Sequence, residues 1–227
     1  MALLGRAAIA MWWDMAPAWK GEFEDWHSHE HFPERLAIPG FLRGSRSGDA
    51  TGGEGFFVLY ELDDYATLTS PHYLERLNNP STWSTRLMPH HRNMVRSQCR
   101  VLESSGAGVA RYTLTLRFAP SAGADERLRA YVRERAGDAA ARAGTTAVHL
   151  LRTETPAIGP TTEQRIRGGL DRAASWILLA AGYDIEALER LRAGELSDAG
   201  LSRHGAGEHV EAGLYTLSHT MSAADRP

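Results

Sequence analysis

One pattern of apolar and polar positions runs along this chain twice. Apolar runs at residues 6–14, 41–47, 56–62 and 93–103 read as strands, with helical patterns at 17–36 and 71–77 between them. The same order returns as strands at 110–118, 146–153, 175–181 and 210–221, with helices at 125–143 and 184–192. Pro17 suits a first helical turn, and Pro39-Gly40 breaks the chain after the long helix. Asp63 or Asp64 and Ser70 are placed to start short helices, and a further helical piece surrounds Trp83. Residues 48–53 read as a turn, 104–108 as a linker and 155–171 as a long loop rich in Gly, Pro and Thr. Each half therefore has the βαββαβ order of a ferredoxin-like unit. The expected fold is α+β: two fused ferredoxin-like units, 1–104 and 109–227. Phe56-Phe57-Val58-Leu59-Tyr60 and Trp176-Ile177-Leu178-Leu179-Ala180 are apolar at every position, which requires sheets covered on both faces.

The first long helix holds the densest chemistry. On a wheel of about 100° per residue, Trp19, Phe23 and Trp26 form an apolar stripe with Glu30 in its middle. His27 and Glu34 fall at the edge of that stripe, His31 further round, and His29 on the other side. A carboxylate among apolar side chains is costly unless it is paired, hydrogen-bonded or protonated, and such placement tunes a general acid or base toward neutral pH. The expectation is a cleft between this helix and the first sheet. Glu30 or His27 would be the base there and His31 or His90 its partner. Trp26, Trp12, Tyr60, Phe23 and Arg43 would form the substrate pocket, with Arg46 a further candidate cation. The plainer alternative has His27 and His31 at a solvent edge and Glu30 bonded to Arg35 or to a strand tyrosine. The second long helix contains no histidine, so the first half is expected to carry the site and the second to be degenerate. His149 is open between a core position and a lining of the second unit.

Metal binding is a further alternative. His27 and His31 are spaced i,i+4, and His27-x-x-Glu30-His31 spells a zinc-protease string. Pro33, two residues on, would disturb the helix that such ligands need. The site is expected to use neither metal nor cofactor. With 227 residues and 43% hydrophobic content the chain can bury a sizeable core, and a net charge of −3 gives no nucleic-acid footprint. The single cysteine, Cys99, excludes a disulfide framework and a cysteine zinc site and fits a reducing cytoplasm. No membrane span is expected, and the apolar start reads as a first strand rather than a signal peptide. No nucleophile elbow or phosphate-binding loop is present; Gly52-Gly53-Glu54-Gly55 lies between two strands as a hairpin turn.

The run Phe23-x-x-Trp26-His27-x-x-Glu30-His31-x-Pro33-Glu34-Arg35, followed by Ile38-Pro39-Gly40-Phe41, resembles the dimeric α/β-barrel superfamily, most of all its EthD-type members. Tyr73-Leu74-x-x-Leu77-Asn78-Asn79-Pro80 and Met88-Pro89-His90-x-Arg92-Asn93 are similar to one bacterial subgroup of it. The resemblance implies half-sheets closing face to face into a barrel, here within one chain. It also implies a small-molecule ligand, aromatic or polyketide-like, and proton abstraction, isomerisation, cyclisation, dehydration or oxygenation. A non-catalytic binding or structural barrel is the competing class, haem occurs in some members, and a homodimer is left open.

Overall fold

The computed structural model describes residues 3–169 and 171–225. Strands β1 (Ala7–Asp14), β2 (Phe41–Asp49), β3 (Gly55–Leu62) and β4 (Arg92–Gly106) hydrogen-bond in the order β4-β1-β3-β2. Strands β5 (Tyr112–Phe118), β6 (Thr145–Thr153), β7 (Trp176–Gly182) and β8 (Glu211–Ser222) repeat that order as β8-β5-β7-β6. Antiparallel pairing of β2 with β8 and of β4 with β6 joins the half-sheets into a closed eight-stranded barrel. The expected α+β fold, two ferredoxin-like units forming a barrel within one chain, is the one present. β4 runs further than its apolar pattern indicates. Ser104, Ser105 and Gly106 pair with His149, Val148 and Ala147, so the first residues of the expected linker are strand.

The unbroken apolar strands serve two cores at once. On β1, Ile9 and Trp13 face the covering helices, while Ala8, Ala10 and Trp12 face the barrel lumen. On β3, Phe56, Val58, Tyr60 and Leu62 face outward and Phe57 and Leu59 inward. Leu151, Ile177 and Leu179 complete the lumen from the second half. Outside that half, α5 (Asp125–Ala141) lays Leu128, Val132 and Ala136 against Leu116, Leu150 and Leu178.

The first long helix is not continuous. It runs as α1 (Pro17–Trp26), a π-helical turn (His27–His31) and α2 (Phe32–Leu36). Pro33 explains the interruption. It has no N–H for an i−4 carbonyl, and its ring crowds that carbonyl in an ordinary α-helix. The wider turn absorbs the conflict: the Phe32 N–H reaches back five residues to the His27 carbonyl. Phe32 then seats against β2 at Gly44, where an added Cβ would lie 2.9 Å from its ring.

α3 (Pro71–Asn78) and α4 (Thr82–Leu87) follow on the same face, capped by Ser70 and Ser81. The long loop after β6 contains α6 (Thr162–Ile166), opened by a capping box in which Thr161 and Gln164 bond each other's backbone N–H. α7 (Ile185–Ala193) and α8 (Asp198–Arg203) complete the helices. Among the described residues no helix is long and apolar enough to cross a membrane.

Candidate active site

A narrow cavity lies between the interrupted helix and the outer face of the first half-sheet. Its floor is Ile9, Met11 and Trp13 of β1, Tyr60 of β3, and Met94 and Arg96 of β4. Trp26, His27, His31 and Arg35 come from the helix above. Tyr73, Leu77, Met88 and His91 close one side, and Glu163 and Arg167 reach in from the second half. Its volume is about 40 Å³, room for roughly two or three waters.

Four residues of this lining carry a polar atom that is buried without a hydrogen-bond partner: Trp13 at Nε1, His27 at Nδ1, His31 at Nδ1 and Tyr60 at its hydroxyl. Buried polar groups are normally satisfied, and each orphan costs about 1–3 kcal/mol, so four on one small wall mark a place where something polar binds. The π-turn sets the two imidazoles side by side, ring centres 5.4 Å apart. His27 packs 4.3 Å from Phe32, and His31 packs 4.4 Å from Trp26. Burial drives both far below the usual histidine range, helped by the Arg46 charge for His27 and the Arg35 charge for His31. His91 is held by its Nδ1 to the Met88 carbonyl at 3.1 Å, and burial pushes it down to about 4. The three rings are therefore neutral at pH 7, each with one nitrogen to donate and one to accept. Burial also raises the Tyr60 hydroxyl above the usual tyrosine range, which keeps it a donor.

A buried ionic chain closes the cavity. Arg35 Nη2 meets Glu163 Oε1, Arg167 lies 3.7 Å from the other Glu163 oxygen, and Arg167 grips Asp171 at 2.7 Å. α6 is thereby pinned over the first half, and Thr162 N donates to Asn78 Oδ1 of α3 at 3.1 Å.

Four of the expected residues, His27, His31, Trp26 and Tyr60, meet in this cavity. Glu30 does not line it: its Oε1 accepts from Trp26 Nε1 at 3.0 Å and from the Ser81 hydroxyl, tying the π-turn to the start of α4. The extra residue of the π-turn explains the difference, because it changes the helical phase of the side chains. Neither expected alternative partner applies to Glu30, since Arg35 is taken by Glu163. His90 stacks on Trp19 at 3.8 Å outside the lining, and His91 takes the inward position. Trp12 faces the lumen, donating to Thr115 Oγ1 at 3.3 Å, and Trp13 faces the cavity. Phe23 is core behind His27, with ring centres 5.3 Å apart. Arg43 is on the lumen side, paired to Glu61 at 2.6 Å, where His149 shares a second cavity with it. Arg46 binds the Glu24 carbonyl at 2.9 Å and Ser28 Oγ at 3.1 Å, under the π-turn. Among the described residues no three His, Cys, Asp or Glu side chains are disposed to hold a metal ion.

Of the pair His90 and His91, either of which could reach the cleft from the start of the fourth strand, His91 is the one in the lining, and Trp13 is there from the tryptophans suited to an aromatic wall; Arg96, Glu163 and Arg167 carry no such signal in the sequence. Thr161-Thr162-Glu163-Gln164 is a capping-box string, and it was the available sign that a helix interrupts the long loop.

No family model and no curated protein matches the chain. Solved structures do match it. A protein described as anthrone oxidase-like superposes with a TM-score of 0.66 at 15% identity, over 98% of this chain and 95% of its own. A candidate monooxygenase from Fusobacterium nucleatum superposes with a TM-score of 0.61 at 8% identity, covering 97% and 96%. A major regulator of staphylococcal pathogenesis superposes with a TM-score of 0.54 at 7% identity, covering 94% and 100%. At these identities the likeness shows the fold alone, an α/β barrel of two ferredoxin-like halves in one chain, and does not single out the EthD-type branch.

Proposed function

We propose that this protein is a small-molecule enzyme that needs no bound cofactor and oxygenates an enolisable aromatic or polyketide-like ring in the cavity beside His27 and His31. The single observation behind this reading is that four residues lining one aromatic cavity, Trp13, His27, His31 and Tyr60, each carry an unpartnered buried polar atom. Oxygenation is chosen among the proton-transfer chemistries because two matched folds carry oxidase or monooxygenase names. A carbon beside a ring carbonyl gives its proton to the neutral His27 imidazole. The imidazolium, disfavoured alone in this buried setting, forms together with the substrate anion, so the cavity's net charge is unchanged. Tyr60 and Trp13 donate to the carbonyl oxygen as it becomes an enolate oxygen. The carbanion bonds to dioxygen, the resulting peroxide takes the proton back from His27, and loss of the second C–H proton with cleavage of the O–O bond releases water and leaves the new carbonyl, dioxygen being the oxidant. His31 stands as the neighbouring proton carrier, and Glu30 positions the Trp26 ring. His90 has no role in this scheme.

Anthrone is the probe, with quinone formation and oxygen uptake as readouts. The wild type accelerates conversion to anthraquinone and water, and His27→Ala loses about 10²-fold or more of that acceleration with Trp fluorescence quenching by the ligand retained. A wild type no faster than buffer that also shows no quenching overturns the reading and leaves the fold as a structural barrel.

A further inference from the structure

The charges around the cavity do not balance. Arg35 and Arg167 share two carboxylates, Glu163 and Asp171. Arg96 is the third guanidinium on the wall. Its Nη2 donates to the Tyr73 hydroxyl, and among the described residues no Asp or Glu oxygen lies within ion-pair distance of it. Its neighbours on the sheet floor are apolar: Met11 is its register partner on β1, and Ile9 and Met94 share the floor. A half-buried guanidinium whose side-chain bond runs to Tyr73 keeps further donors free for an anion. Its planar fork matches a carboxylate in two-point geometry.

We infer that the ligand of this cavity is an acidic aromatic whose carboxylate pairs with Arg96, making Arg96 the residue that sets substrate class. The inference rests on reading the cavity as the substrate site. Trp13 lies two residues from Met11 along β1, about 7 Å. Carboxylate and reacting carbon therefore fit on one small fused-ring skeleton, the first at Arg96 and the second toward Trp13 and His27.

The test compares two probes of one skeleton, 1-naphthol and 1-hydroxy-2-naphthoate, by isothermal titration of wild type, Arg96→Gln and Arg96→Lys. Wild type binds the carboxylate roughly 10- to 100-fold more tightly than the naphthol, as a charge-assisted bond in a sheltered site should. Arg96→Gln binds naphthol within about threefold of wild type, which shows that it is folded, and loses the preference. Arg96→Lys keeps part of it, since the charge stays and the fork is lost. Equal binding of both probes by wild type overturns the inference and leaves the cavity reading intact. A preference that survives in Arg96→Gln also overturns it. Binding of the naphthol alone overturns the inference, and failure of both probes to bind wild type overturns the cavity reading as well.

Discussion

Burying His27, His31 and His91 together, with no carboxylate pairing any of them, makes the stability of this protein depend on pH. Each ring has a folded-state pKa below its unfolded value of 6.5. His149, packed in the lumen with its Nδ1 3.0 Å from Ser104 Oγ, is likewise pushed down to about 4. The unfolded chain therefore takes up protons first as pH falls. Stability is full above about 6.5 and is lost progressively as pH drops toward 4. A pKa unit corresponds to about 1.4 kcal/mol, so His91 and His149 each cost about 3 kcal/mol by pH 4, with His27 and His31 adding more. Urea unfolding midpoints should fall steeply between pH 7 and pH 5. Asn or Gln in place of His91 should flatten that dependence. A midpoint unchanged down to pH 5 would show that these rings are not held neutral.

The elements were legible where periodicity decides and illegible where it does not. Strand and helix order, and two-sided coverage of the sheets, followed from apolar runs bounded by Gly and Pro. Within such a run nothing distinguishes adjacent tryptophans. Trp12 and Trp13 alternate between lumen and helices, and only the register of the finished barrel assigns them. Pro33 disrupts an ordinary α-helix, yet here it marks a π-turn that keeps helix on both sides. That turn brings His27 and His31 together and takes Glu30 to Ser81. It also gives a test at this scale. A π-turn accommodates one extra residue, so deleting the exposed His29 with Pro33→Ala should restore continuous α-helix with α1 and α2 still in phase. His27 and His31 would then be i,i+3, about 60° apart on the wheel. Far-UV circular dichroism should retain its helical signal while 1-naphthol binding weakens at least about tenfold, the scale of one misplaced polar contact. Undiminished binding would detach the π-turn from the site.

At the scale of the whole molecule the two halves share an architecture and differ in one connection. In the first half β2 and β3 are joined by residues 50–54, and in the second the equivalent strands are joined by residues 154–175. A connection that long inside a compact fold is uncommon and usually functional. Here it lays α6 across the other half's cavity and locks it with Arg35–Glu163. The covered space of about 40 Å³ admits a few waters and no fused ring, so ligand entry requires this cover to lift. Asn78 and Thr162 meet at its edge, with Thr162 N 3.1 Å from Asn78 Oδ1. The double variant Asn78→Cys/Thr162→Cys should therefore form a disulfide that holds the cover down. Cys99 is buried and stays out of the exchange. In stopped-flow quenching, 1-naphthol should associate with the oxidised variant at least about tenfold more slowly than with wild type, the signature of a gated site. Dithiothreitol should restore the wild-type rate. Equal rates in the oxidised and reduced forms would mean that ligand enters by another route and that α6 is a fixed wall.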